Sequence, residues 1–158
     1  MKNVEIKDKG WKNYLNRIDE FEGYEISAGV HSDESGIPDK NGYTMADIAM
    51  VQEFGSDDGR IPERSVHRDT FEQLKKSELP RRMAEGVRRV SEGKQTPLRE
   101  AHNVGLFYAG KLRDAVQKYD EIPNAESTVK KKGRNDPLVD SGATVNAINH
   151  KVSKKRRR

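Results

Sequence analysis

The sequence predicts an α+β fold in which a small antiparallel sheet packs against a long helical hairpin, with extended loops and arms. Three observations predict it. Two stretches with helical apolar spacing flank a glycine turn at Gly93. Two short alternating segments, one near each end, read as strands. Apolar residues are scarce, with 32% hydrophobic and 35% charged residues and a mean hydropathy of -1.00. Ordinary domains carry roughly 45–50% and about 25%. A 158-residue chain of this composition is expected to form one domain (residues 1–153) with a thin core, burying more apolar surface against neighbours than inside itself.

The elements follow in order. Trp11, Tyr14, Leu15, Ile18 and Phe21 fall at helical spacing, and Gly23 ends that helix. Tyr24, Ile26, Ala28 and Val30 alternate with Glu25, Ser27 and Gly29, as in a half-buried strand. Residues 32–42 are rich in Asp, Ser, Gly and Pro and read as a loop. Thr44 is placed to cap a helix running through Met45, Ile48, Val51 and Phe54, with Gly55 as its stop. Residues 56–62 read as a flexible connection.

Arg64 opens a further helix with Val66, Thr70, Phe71 and Leu74 on one side. Pro80 predicts a break near Ser77–Pro80, because the residue before proline is pushed away from helix. Leu79, Met83, Val87 and Val90 form the next stripe. Thr96 caps a long helix with Pro97 at its first position. Ala101, Val104, Gly105, Tyr108, Leu112, Ala115 and Val116 form its apolar face. These two helices should pair as an antiparallel hairpin around Ser91–Thr96. Residues 119–136 hold Pro123, Gly133 and three successive lysines, and read as a long loop or arm. Residues 139–148 are amphipathic, Asn149 to Val152 reads as a final strand, and residues 154–158 read as a basic disordered tail.

Charge is unevenly distributed. Residues 1–79 carry 11 basic and 17 acidic side chains, a net of -6, and residues 80–158 carry 19 and 9, a net of +10. Head-to-tail association of copies is one consequence; a dipolar, solvated surface is the other. The absence of cysteine excludes disulfides and thiolate metal sites. No apolar run approaches the roughly 20 residues of a membrane span. Met1 to Lys7 lacks the apolar core of a signal peptide, so synthesis and assembly in the cytoplasm are expected.

Two motifs carry the functional question. The first is Val51-Gln52-Glu53-Phe54-Gly55 with Ile61-Pro62-Glu63-Arg64; the second is Pro137-Leu138-Val139-Asp140-Ser141-Gly142. Leu138 to Ala143 also spells the loop of a retroviral-type aspartic protease, which needs two carboxylates about 3 Å apart sharing a proton. In such enzymes the strands after the loop build flap and cleft, whereas here 16 residues follow Gly142 and the last five are all Lys or Arg. The simpler expectation is structural. Pro137 sets an extended entry, Leu138 and Val139 bury, Asp140 or Ser141 caps a turn, and Gly142 lets the backbone bend.

His31, His67, His102 and His150 are scattered without metal-ligand spacing, and Asp33, Glu34 and Asp39 do not match a calcium loop. No phosphate loop, dinucleotide fingerprint or nucleophile elbow is present, and no cofactor is expected. Lys130, Lys131, Lys132 and Arg134, and Lys154, Lys155, Arg156, Arg157 and Arg158, suit phosphate or protein contacts. No aromatic residue interleaves with them, so contact with nucleic acid would be non-specific.

Taken with their order and spacing, the two motifs resemble a family of tailed-bacteriophage virion proteins, the neck or tail-completion proteins that join head to tail. The matching residues are Ala49 to Gly55, Ile61 to Ser65, Phe71, the Gly93-Lys94 turn, Pro123-Asn124-Ala125, Ser127-Thr128, Pro137 to Gly142 and Ala147-Ile148. Family members often have Ala where Glu63 stands and Pro where Ser65 stands, and the Lys/Arg tail is not part of the pattern. The resemblance implies a non-enzymatic ring subunit, six-fold favoured and twelve-fold the alternative, around the DNA exit channel. Its partners would be copies of itself, adjacent head-tail connector and tail proteins, and the passing genome, without a membrane. The virion would be its location. A small non-specific nucleic-acid-binding protein is the alternative, and an aspartic protease using Asp140-Ser141-Gly142 the remote one.

Overall fold

A computed structural model describes residues 9–34, 36, 38, 41–138 and 142–155. Helix α1 (Trp11–Glu22) leads into strand β1 (Tyr24–Val30), a 3-10 turn (Ser32–Glu34) and α2 (Met45–Phe54). Helices α3 (Val66–Lys76), α4 (Glu78–Ser91), α5 (Pro97–Lys118), α6 (Glu126–Lys132) and α7 (Ala143–Ala147) precede strand β2 (Ile148–Lys154). The fold is α+β with a two-stranded antiparallel sheet.

Local chemistry fixes the helix ends. At α2, Thr44 Oγ1 accepts from Asp47 N at 3.3 Å and Thr44 N donates to Asp47 Oδ2 at 2.8 Å, a reciprocal capping box. At α5, Thr96 Oγ1 accepts from Arg99 N at 3.4 Å and Pro97 fills the first helical position, where its missing N–H costs nothing. The expected break before Pro80 falls at Ser77, whose hydroxyl donates back to Gln73 O at 2.7 Å.

Helix α5 is the spine. The sheet lies on it, with Tyr24 paired to Lys154, Ile26 to Val152, Ala28 to His150 and Val30 to Ile148. One cluster joins Val66, Ala109, Leu112, Val116, Leu138, Val145 and Ile148. A second joins Phe21, Val90 and Ala101, with Tyr24, Ile26, Met83 and Val152 against it. Fully burying Leu112 or Ile148 contributes about 1.5–3 kcal/mol each. Helix α4 crosses α5 as the expected hairpin, but Val87 is exposed and Gly86 takes the inward position instead. Gly86 faces Glu100, and its lack of a side chain makes room for that buried carboxylate.

Four expectations are corrected. Residues 119–136 are not a bare arm, because α6 forms within them and carries Lys130, Lys131 and Lys132 in its last turn. Residues 56–62 form a closed turn: Ser56 N donates to Ile61 O and Ile61 N to Ser56 Oγ, both at 2.9 Å. The final strand begins at Ile148 and runs to Lys154, longer at both ends than Asn149 to Val152. The basic tail therefore cannot start at Lys154, which pairs with Tyr24; Lys155 N also donates to Gly23 O at 2.8 Å. Arg156, Arg157 and Arg158 lie outside the described residues.

The scattered histidines are partly gathered by folding. His102 on α5 and His150 on β2 lie with Nδ1 and Nε2 3.1 Å apart, rings edge to face. The His150 ring fills the space over Gly105, where an added Cβ would sit 2.5 Å from it. Burial, then His102, Arg113 and His31, hold its imidazole below the ordinary 6.5. Its share of stability is therefore complete above the unfolded value near 6.5 and is lost as pH falls through the lowered folded value. The thermal midpoint is expected to fall as pH drops from about 7 to about 5, and His150→Phe to flatten that slope. An unchanged slope in the variant would show that another group titrates.

Candidate functional site

Folding turns the first motif into a junction between α2 and α3. Glu53 ends α2 on its inner side and is buried. Its Oε2 accepts from His67 N at 2.9 Å and from His67 Nδ1 at 3.1 Å, and its Oε1 accepts from Arg68 N at 3.0 Å. Those backbone donors belong to the first turn of α3, where N–H groups have no intrahelical partner. Glu53 is thus the N-terminal cap of another helix, which explains why Ser65 makes no side-chain cap there. Burial alone would raise its carboxyl, but hydrogen bonds from the His67 side chain and the His67 and Arg68 backbone hold it below the ordinary carboxylate range.

Gly55 has φ +80° and ψ 175°, a region essentially reserved for glycine. An added Cβ would stand 2.9 Å from Ile61 O and 3.0 Å from Glu63 N. The chain thus reverses tightly, and Arg64 N returns to Gln52 O at 3.0 Å. Phe54, between Glu53 and Gly55, is turned outward and is 66% exposed.

Arg64 reaches further. Its buried guanidinium donates from Nε to Ile122 O and from Nη2 to Pro123 O, both at 3.1 Å. It fixes the chain leaving α5 against the start of α3. It meets no carboxylate among the described residues, and burial draws its pKa down, with nearby Tyr119 opposing.

Between α2, the 56–62 turn, the 122–125 segment and α6 lies an open cleft of about 720 Å³. Ile48, Val51, Ile61, Pro62, Ala125 and Pro137 give it apolar walls, and its charged lining is Arg60, Arg64 and Lys132 against one carboxylate, Asp47. Asn124 Nδ2 is buried beside it and meets no acceptor among the described residues. The two sequence motifs meet here, Ile61, Pro62 and Arg64 from one and Pro137 from the other.

The remaining motif residues separate. Leu138 enters the core beside Val145 and Ile148. Gly142 stands at the N-cap of α7 with φ +78°. Val139, Asp140 and Ser141, with the expected caps and the protease-like carboxylate, lie outside the described residues. Among the cations, Lys130 and Lys131 are exposed on α6, Lys132 Nζ donates to Asp136 O at 3.1 Å, and Arg134 pairs with Asp136 at 3.1 Å. Lys154 and Lys155 sit at the end of the sheet, paired with Tyr24 and Gly23, so these two lysines do not share a patch with those of α6. Asp33 is bound by Lys151, and no group of three or more metal-ligating side chains occurs among the described residues.

Sequence reasoning missed Glu100, Asn124 and the inter-helix role of Glu53. Glu100 carried a faint signal, a carboxylate in the first turn of a helix whose preceding helix ends in two arginines. Asn124 carried none. Comparison with protein-family models, with curated proteins and with solved structures yields no match.

Proposed function

We propose that this chain is a structural virion protein of a tailed bacteriophage, a non-enzymatic ring-forming subunit at the head-tail interface. Its place would be the neck, tail-completion or tail-terminator layer around the DNA channel. The observation that carries the reading is α2. Its sequence is apolar on nearly every side, yet only Ala49 and Glu53 are buried. Met50 is 60% and Phe54 66% exposed, one turn apart on the same ridge. A helix apolar all round belongs in an interior, so its outer side needs a second chain to cover it. Exposed Ile61 extends this surface to the rim of the cleft.

The motif chemistry supports the same reading. Glu53, Gly55 and Arg64 are occupied in holding α2, α3 and the 122–123 segment together. Rigid positioning of an exposed apolar ridge suits assembly. The partners would be copies of this chain in a six-fold ring, with twelve-fold as the alternative, and the connector and tail proteins above and below. Genomic DNA would pass through without base-specific contact.

Electron microscopy of the purified protein, with sedimentation analysis, tests the proposal. Closed rings with a central channel are expected. A particle that remains monomeric at high concentration overturns it. A second reading, non-specific nucleic-acid binding, is favoured by the exposed Lys130 and Lys131 at the end of α6. Retention of the monomer on DNA, lost steeply with added salt, would support that reading instead.

A further inference from the structure

We infer that copies join head to tail, the exposed first half of α1 in one copy entering the cleft between α2 and α6 in the next. This rests on the ring-subunit reading and names the contact that would build the ring.

Every residue from Trp11 to Asn16 is exposed, so this part of α1 presents its side chains to solvent. Trp11 stacks on Tyr14 with centroids 5.2 Å apart and planes 7° from parallel, and Leu15 lies beside them. Trp11, Leu15 and Asp19 are spaced by four along one helical row, so the apolar knob is followed by an exposed carboxylate.

The cleft offers the complement. Ile48, Val51 and Ile61 supply apolar wall, while Arg64 brings a cation that meets no carboxylate among the described residues. Asn124 Nδ2 is a buried donor lacking an acceptor there. An apolar knob followed by a carboxylate suits this lining: burial for the apolar walls, and negative charge where Arg60, Arg64 and Lys132 outnumber the single carboxylate of Asp47.

Placement excludes a contact within one copy. Arg17 Nη2 donates to Ser91 O at 2.9 Å, and Phe21 packs on Val90 and Ala101, so α1 sits at the hairpin turn where α5 begins. The cleft is built on Pro123, Asn124 and Ala125, beyond the last residue of α5. The 22 residues of α5 separate them by about 33 Å. Two different complementary patches at opposite ends give a heterologous contact, which propagates into a ring or a filament and not a two-fold dimer.

Two variants and their mixture test this. Leu15→Arg spoils the knob and leaves the cleft; Thr128→Trp fills the cleft from α6 and leaves the knob. Each alone is expected to sediment as a monomer, while the equimolar mixture gives a species of twice the monomer mass and nothing larger. Because the chain has no cysteine, Leu15→Cys combined with Thr128→Cys supplies a second measurement that does not depend on disrupting the fold. Oxidation should give a ladder from dimer upward, whereas each single cysteine variant stops at dimer. Rings that persist in both single variants, or a double-cysteine chain with no product above dimer, overturn this contact and leave the ring reading standing. A wild-type chain that stays monomeric, together with a double-cysteine chain that gives no ladder, overturns both.

Discussion

Glu100→Ala is expected to destabilise the fold by about 3–5 kcal/mol, the range for breaking a buried ion pair from one side. Glu100 has no exposed surface. Its Oε2 accepts from Arg89 Nε at 3.1 Å and from Asn103 Nδ2 at 3.2 Å, its Oε1 accepts from Arg89 Nη2, and Arg82 lies 3.9 Å away. Truncation leaves two guanidinium groups and an amide facing a void at the seam of α4 and α5. Urea denaturation measures the loss, and a cost under about 1 kcal/mol would mean that water already solvates the site. Replacing Arg89 with Met and Glu100 with Leu together should cost less, because the guanidinium bound most closely leaves with the carboxylate and only half-buried Arg82 and the Asn103 amide lose a partner. The pH dependence has a definite sign. Burial pushes the Glu100 carboxyl up, but the Arg89 and Asn103 hydrogen bonds and the charges of Arg89 and Arg82 outweigh it. The stabilisation is complete above the ordinary carboxylate value of 4.5 and disappears as pH falls through the lowered folded value.

Gly55→Ala should cost about 3 kcal/mol or more, from two sources. The φ of +80° with extended ψ is worth about 1–3 kcal/mol against any side chain. The overlap with Ile61 O and Glu63 N adds a packing cost of about 1–3 kcal/mol, because both neighbours are backbone and cannot rotate away. The damage should also extend beyond stability. Gly55 sets the path from Glu53 to Arg64, so relaxing the clash shifts the α3 cap and the wall of the cleft. The proposed ring assembly is therefore expected to weaken at temperatures where circular dichroism still reports folded chains. If Gly55→Ala melts like wild type and forms normal particles, the junction is softer than its geometry indicates. Replacing exposed Gly59, also at positive φ but with open space around it, serves as the comparison for conformational cost without overlap.

Much of the architecture is legible in the residues because its determinants are short-range. The stop at Gly23, the capping box at Thr44, the Ser77 break and the Thr96-Pro97 start each use partners within four residues. The sheet alternation at Tyr24 to Val30 is likewise a property of one segment. Where local reading fell short, a distant partner decided. Lysine-rich residues 126–132 form a helix in a segment whose start Arg64 ties to the body. Val87 fits the apolar stripe by spacing but is exposed, since Glu100 claims the inward position through Gly86. The letters of the first motif are plain in the sequence, yet the use of Glu53 to cap another helix is invisible in them.

The order of residues is enough to place most of the helices and the first strand, with most of their ends, and to show that little apolar surface is available for a core. Capping, turn conformation and side-chain period act over one or two turns of chain, so the order of residues suffices. Long-range packing is needed to make Glu53 serve α3, to set Arg64 on the carbonyls of Ile122 and Pro123, and to bring Pro137 into a cleft with Ile61. A charged side chain chooses its partner by proximity and desolvation, and the proximity of Arg64 to carbonyls 58 and 59 residues away exists only once the chain has packed.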